Sequence, residues 1–120
     1  MNPTSLLRRR TDMPRQVLSD CHGGAGDLDF TPLLDKASVQ GRQVNFIHDD
    51  VLAPGASIGV HSHTHDEEYY LVLAGRGTII LDGARHEIGP GDIAAVYPGG
   101  SHGLENTGGV PLRLIVFSTG

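Results

Sequence analysis

From Gly75 onward the chain meets a turn signal every few residues: Gly75-Arg76-Gly77, Asp82-Gly83, Gly89-Pro90-Gly91, Pro98-Gly99-Gly100 and Thr107-Gly108-Gly109. Glycine opens positive φ and proline locks φ, so each cluster interrupts a regular helix. The stretches left between them suit strands: Thr78–Leu81, Arg85–Ile88, Asp92–Tyr97, His102–Asn106 and Leu112–Phe117. Upstream, Gln43–Ala53 is rich in β-branched and aromatic residues and ends at Pro54-Gly55, after which Ser57–His63 and Glu68–Leu73 read as two more strands. Short strands punctuated this way predict an all-β antiparallel sandwich or barrel, with Asp82-Gly83 as a two-residue hairpin turn.

Residues 1–40 show no comparable periodicity and are expected to form an irregular N-terminal arm, with the barrel running over 41–120. Within the arm Thr31 precedes Pro32 and predicts one capped helical turn through about Ala37. The arm is partly apolar (Leu6, Leu7, Val17, Leu18), and open sheets leave edges that pairing between subunits protects. A homodimer with the arm in its interface is the resulting expectation.

The remaining exclusions come from size and charge. At 120 residues the chain makes one domain with a real core. The net charge is −5 and only Arg8-Arg9-Arg10 gathers basic residues, so no nucleic-acid interface is expected. No apolar run approaches the length of a spanning helix, and the N-terminus lacks the apolar core and cleavage site of a secretory signal. Cys21 is the sole cysteine, which rules out an intramolecular disulfide and fits a reducing compartment; the cytoplasm is the expected location.

His61 and His63 are two apart, so on a strand both imidazoles leave the same face and can converge on one ion. Glu68 and Tyr70 likewise share a face of the next strand, and His102 follows a Pro-Gly-Gly turn that can swing it toward them. Imidazole nitrogen with carboxylate oxygen suits divalent transition metals and disfavours Ca or Mg. The spacing leaves His65 as an alternative ligand, because it keeps the parity of His63. Glu67 points to the opposite face from Glu68 on a regular strand. His48 and His86 read as ordinary strand histidines.

Gly55-x5-His61-x-His63-x4-Glu68-x6-Gly75 resembles the first motif of the cupin superfamily at every fixed position. Gly91-x7-Gly99-x2-His102-x3-Asn106 is similar to the second, with Tyr97 where the family pattern carries proline, followed here by Pro98. The resemblance implies a small double-stranded β-helix, or jelly-roll, barrel holding one divalent transition metal (Mn, Fe, Ni, Cu or Zn). It implies His61, His63, Glu68 and His102 as the ligands.

An enzyme acting on a small oxygen-rich organic molecule is the first functional expectation, with Glu68 and Tyr70 as candidate catalytic residues. The metal would serve as Lewis acid or, if redox-active, as oxygen activator, in dioxygenase, isomerase, cyclase or lyase chemistry. The alternative is a metal-dependent small-molecule binding protein without turnover. Tyr97, Arg76, Arg85 and Arg113 are further candidates for contacting a bound acid, although Arg113 alternates with Leu112 and Leu114 and is expected to point away from the core. Asn106 is expected to fix a turn, and Cys21-His22 is a further candidate to add metal ligands or to cap a partner's pocket.

Overall fold

The computed structural model describes residues 6–38 and 43–120. Ten strands follow in order: β1 Gln16–Ser19, β2 Asp27–Leu34, β3 Val44–Leu52, β4 Ser57–Ser62, β5 Glu67–Ala74, β6 Gly77–Leu81, β7 Ala84–Ile88, β8 Ile93–Val96, β9 Ser101–Glu105 and β10 Leu112–Thr119. They form two antiparallel sheets, one of six strands in the order β1-β2-β3-β10-β5-β8 and one of four in the order β4-β9-β6-β7. This is the jelly-roll barrel that the turn spacing and the motif resemblance predict.

The alternation of β10 explains why it sits in the middle of the larger sheet. Leu112, Leu114, Val116 and Ser118 are buried while the residues between them are not. Strand β10 pairs with β3 on one side and β5 on the other, so its inward row meets Leu52 and Val72 in the core. Leu104 of β9 and Ile79 of β6 supply the facing layer from the smaller sheet. Fully burying one such aliphatic side chain contributes about 1.5–3 kcal/mol, which makes this two-sheet core the main source of stability.

The hairpin expected at Asp82-Gly83 is present: Leu81 pairs with Ala84, and both turn residues adopt positive φ, 49° and 84°. Positive φ at both positions is the signature of the turn whose twist matches the flanking strands.

The helical turn expected from Thr31 is replaced by strand β2. Leu28 and Thr31 are buried on the ladder to β3, opposite Leu52 and Asp49, and that burial outweighs the local capping signal. Pro32 cannot donate to the ladder, and the register slips between Pro32 and Leu34. The arm therefore contributes two strands, β1 and β2, to the larger sheet, with short 3-10 turns at Arg10–Asp12 and Cys21–Gly23. All four residues of β1 are exposed, so it carries no inside–outside alternation for the sequence to show. The expected arm–barrel boundary between residues 40 and 41 lies outside the described residues.

Two glycines press the Cys21–Gly23 turn onto β4. A Cβ on Gly59 would overlap the His22 carbonyl oxygen, and one on Gly24 would overlap that of Ser57. Backbone approach this close requires glycine on both sides, and it brings the arm over the barrel interior.

Candidate metal centre

Strand register brings the four candidate ligands together. His61 on β4 pairs directly with His102 on β9, His63 lies just past the end of β4, and Glu68 enters from β5. One ligand atom from each of the four falls within 4.8 Å of the others. The Nε2 atoms of His61 and His63 each stand 3.1 Å from His102 Nε2, and Glu68 Oε1 is 3.3 Å from it. Glu68 and His102 are buried; His61 and His63 are partly so.

Tautomers test whether this set fits a cation. His61 Nδ1 is 2.8 Å from the Gly59 carbonyl, and His63 Nδ1 is 3.0 Å from Asp66 Oδ1. Both partners only accept, so each Nδ1 carries the proton and each Nε2 presents a bare lone pair. A proton on His102 Nε2 can serve only one of them. Three converging ring nitrogens beside a carboxylate repel one another unless something positive sits between them, and the donor set suits a divalent transition ion. Burial lowers the His61 pKa, which favours the neutral ligating form.

Outer contacts hold the rings in place. Asp66, which accepts from His63, takes a 2.7 Å hydrogen bond from the Ser118 hydroxyl, and Asn45 donates to that hydroxyl at 3.0 Å. Burial opposes ionisation of Asp66, but the bonds from Ser118 and His63 hold its pKa below the ordinary value. Tyr70 stacks on His102 with ring centroids 4.4 Å apart, and His22 stacks on His61 at 3.7 Å. Burial, then the charges of Glu68 and Asp50, pushes the Tyr70 phenol well above its usual pKa, so it stays protonated.

A cavity of about 170 Å³ adjoins the cluster, and Glu68 belongs to both. Its polar lining comprises Cys21, His22, His48, Asp50, Glu68 and Tyr70; Leu28, Phe30, Phe46, Ile58 and Val116 supply most of the apolar surface. Burial lowers the His48 pKa and raises that of the Cys21 thiol, the latter helped by Asp50 and Glu68. Asp50 is the residue that sequence reading missed. It is 4% exposed, its Oδ1 has no hydrogen-bond partner, and burial followed by Asp49, Glu68 and Asp29 raises its pKa to about 8.

Other candidates lie elsewhere. His65 and Tyr97 are exposed, and neither lines the cavity. Glu67 points away from the cluster and accepts from the Tyr69 hydroxyl. Arg85 pairs with Glu105, Arg113 holds Asp49 through two bonds of 3.0 and 2.8 Å, and Arg76 is exposed, so none of the three reaches the cavity. Asn106 does fix a turn: its amide donates to the Leu52 and Val110 carbonyls, and its Oδ1 accepts from Gly108. Cys21 and His22 line this chain's own cavity rather than a partner's, and neither belongs to the four-residue cluster.

The family described as Cupin domain matches residues 49–118. An oxalate-binding protein of Thermotoga maritima is 30% identical over 112 residues, covering 93% of this chain and 92% of that protein. A crystal structure described as a predicted oxalate decarboxylase of Thermotoga maritima superposes with a TM-score of 0.89 at 28% identity, covering 95% of this chain and 98% of that one. A sugar phosphate isomerase of Silicibacter pomeroyi shares the fold at a TM-score of 0.73 and 21% identity, covering 93% of this chain and 74% of that one.

Proposed function

This chain belongs to the cupin family, and from that premise we propose that it holds one divalent transition metal through His61, His63, Glu68 and His102 and acts there on a small oxygen-rich organic acid of the oxalate class. The observation that carries the reading is the convergence of bare imidazole nitrogens and Glu68 at the wall of a small cavity. A volume of about 170 Å³ is well below the roughly 300–1,000 Å³ of pockets for drug-sized ligands, which favours a compact substrate. The oxalate named for the Thermotoga maritima relative is such a molecule.

A bound divalent ion supplies Lewis acidity toward an acid's oxygen atoms, with oxygen activation added for Mn, Fe, Ni or Cu and absent for Zn. The chain's own residues do the rest. Glu68, shared by cluster and cavity, is placed to take up or return a proton at its carboxylate. Tyr70 keeps its phenol proton and can donate it in a hydrogen bond to a bound carboxylate. Cys21, His22 and the apolar side chains Leu28, Phe30, Phe46, Ile58 and Val116 line the cavity around them. Of the dioxygenase, isomerase, cyclase and lyase chemistries open to such a site, carbon–carbon lyase action is favoured by the structural relative described as a decarboxylase.

Binding without turnover is the second reading, and the relative's description as oxalate-binding is what favours it. We also take the protein to work as a cytoplasmic homodimer. The exposed edge strand β1, with Val17 and Leu18 uncovered, supports the pairing.

The test is elemental analysis of untagged protein beside His61→Ala, followed by oxalate titration and product analysis. About one transition metal per chain, lost in the variant, with formate appearing from oxalate, is the expected result. Binding without product selects the second reading, and no metal after reconstitution overturns both.

A further inference from the structure

Strand β3 breaks its own pattern where it crosses the cavity. Leu52, Asp50 and His48 share one face of the strand, and Leu52 is fully buried in the core. An inward row on a central strand, flanked by β2 and β10, is where apolar side chains belong. Opposite Asp50 in the ladders stand Phe30 and Leu114, neither of which can hydrogen-bond a carboxyl through its side chain.

Asp49, the next residue, gives the contrast. It is equally buried but is held by Arg113 and Arg10, an ordinary structural ion pair. Asp50 has no such partner: its Oδ1 is the one buried side-chain polar atom without a hydrogen bond among the described residues. A buried polar group left unsatisfied is costly unless something occupies the space beside it. Asp50 lines the same cavity as Glu68.

We infer that Asp50 is a specificity-determining residue of this site, hydrogen-bonding the end of a small carboxylic acid that the His61, His63, Glu68 and His102 cluster does not hold. The inference rests on the reading of the cavity as an organic-acid site. Charge supports it: the titratable groups sharing the cavity with Asp50 are Glu68 and Tyr70 from β5, His48 on β3 and Cys21 and His22 in the arm's turn, while Asp49 on β3 and Asp29 on β2 act on it from neighbouring ladder positions. Burial, followed by the charges of Asp49, Glu68 and Asp29, raises the Asp50 pKa to about 8, and in its protonated form Asp50 can donate its O–H to an anionic carboxylate. Strand β10 contributes the apolar Leu114 and Val116 beside it and no charge on that face. A site with such a donor prefers an acid bearing a second oxygen-rich end over one of similar size ending in a methyl group.

The test uses the full chain loaded with the metal found on the purified protein. Oxalate is titrated calorimetrically at neutral pH into wild type, Asp50→Asn and Asp50→Leu, with malonate, glycolate and pyruvate as further probes. Bound metal is measured on each. Asp50→Leu is expected to keep its metal and lose affinity by about tenfold or more, while Asp50→Asn, which retains an N–H donor, stays within about threefold of wild type. Infrared difference spectra give a second readout should Asp50→Leu not fold. Wild type should show a neutral carboxylic-acid carbonyl band, absent from Asp50→Asn, that shifts when the acid binds.

Equal affinity in wild type and Asp50→Leu, or a band unmoved by a bound acid, overturns the role of Asp50 and leaves the organic-acid reading standing. Absence of binding by every probe to metal-loaded wild type overturns that reading, and Asp50 with it.

Discussion

His61 and His102 face each other across the β4–β9 pair with their Nε2 atoms 3.1 Å apart. Two neutral imidazoles at that distance share a single proton at best, and His63 Nε2 stands equally close to His102. His102 is thus the hub of the cluster, and it is 1% exposed. His102→Ala should remove bound metal entirely, measured by elemental analysis, while circular dichroism retains the β spectrum. Retention of a full metal equivalent would sink the site assignment.

Ser118 and Asp66 form a relay that fixes His63 in the tautomer a metal needs. Second partners of this kind are worth about 10–100-fold in metal affinity. Asp66→Ala is accordingly expected to weaken metal binding within that range in a chelator competition. Ser118→Ala should cost less, because it removes a bond to Asp66 rather than to the imidazole. Equal affinities for wild type and both variants would show that the relay has no such role.

Much of this was legible in the sequence, for physical reasons that differ between residues. The strands from Val44 to Phe117 announce themselves because glycine or proline follows all but β4, which runs into His63-Thr64-His65-Asp66, and His61 and His63 share a face because strand side chains repeat every two residues. Strand β2 was not legible, since its cap-like Thr31-Pro32 signal is local while the burial of Leu28 against Leu52 is not. Asp50 hid for a related reason. In His48-Asp49-Asp50-Val51-Leu52 the two acids look alike, and only the three-dimensional neighbours reveal that Arg113 reaches Asp49 and that nothing reaches Asp50 Oδ1. The visible signal was parity: Asp50 lies two residues before a core leucine.

That parity has a consequence for stability. The Asp50 pKa is about 8 in the fold, against an unfolded value near 3.8. Between those limits the unfolded chain gives up a proton that the folded chain keeps, so wild-type stability falls as pH rises, by up to about 1.4 kcal/mol per pH unit. Asp50→Asn lacks this term. In metal-free protein, its denaturant-derived stability relative to wild type should therefore improve steadily from about pH 4 to about pH 8 and then level off. A constant difference across that range would mean that Asp50 ionises normally.

Asp49 should behave in the opposite sense. The hydrogen bonds from Arg113, with a second contribution from Arg10, hold its pKa below 3.8 against the cost of burial. Its stabilisation is present above the unfolded pKa and is lost as pH falls through the lowered value. Arg113→Ala should cost about 2 kcal/mol at neutral pH, the scale of hydrogen bonds to a charged group, with Arg10 limiting the loss. Acid unfolding of the variant should also begin at a higher pH. An unchanged acid transition would assign the protection to Arg10 alone.

Gly59 offers a test of the arm's place over the cavity. A methyl group there would overlap the His22 carbonyl and crowd the Gly24 nitrogen, so Gly59→Ala must lift the Cys21–Gly23 turn from β4. The His22 ring would leave its 3.7 Å stack on His61, and Cys21 would withdraw from the cavity wall. Overpacking of this kind costs about 1–3 kcal/mol. Gly109→Ala, where nothing lies within 4 Å of the added carbon, is the control and should stay within about 0.5 kcal/mol of wild type. Metal content should survive Gly59→Ala, because the carbonyl that orients His61 remains. Affinity for a small acid should fall, because one wall of its cavity is gone. If thermal unfolding shows the expected loss and acid binding is untouched, the turn braces the fold without enclosing the ligand.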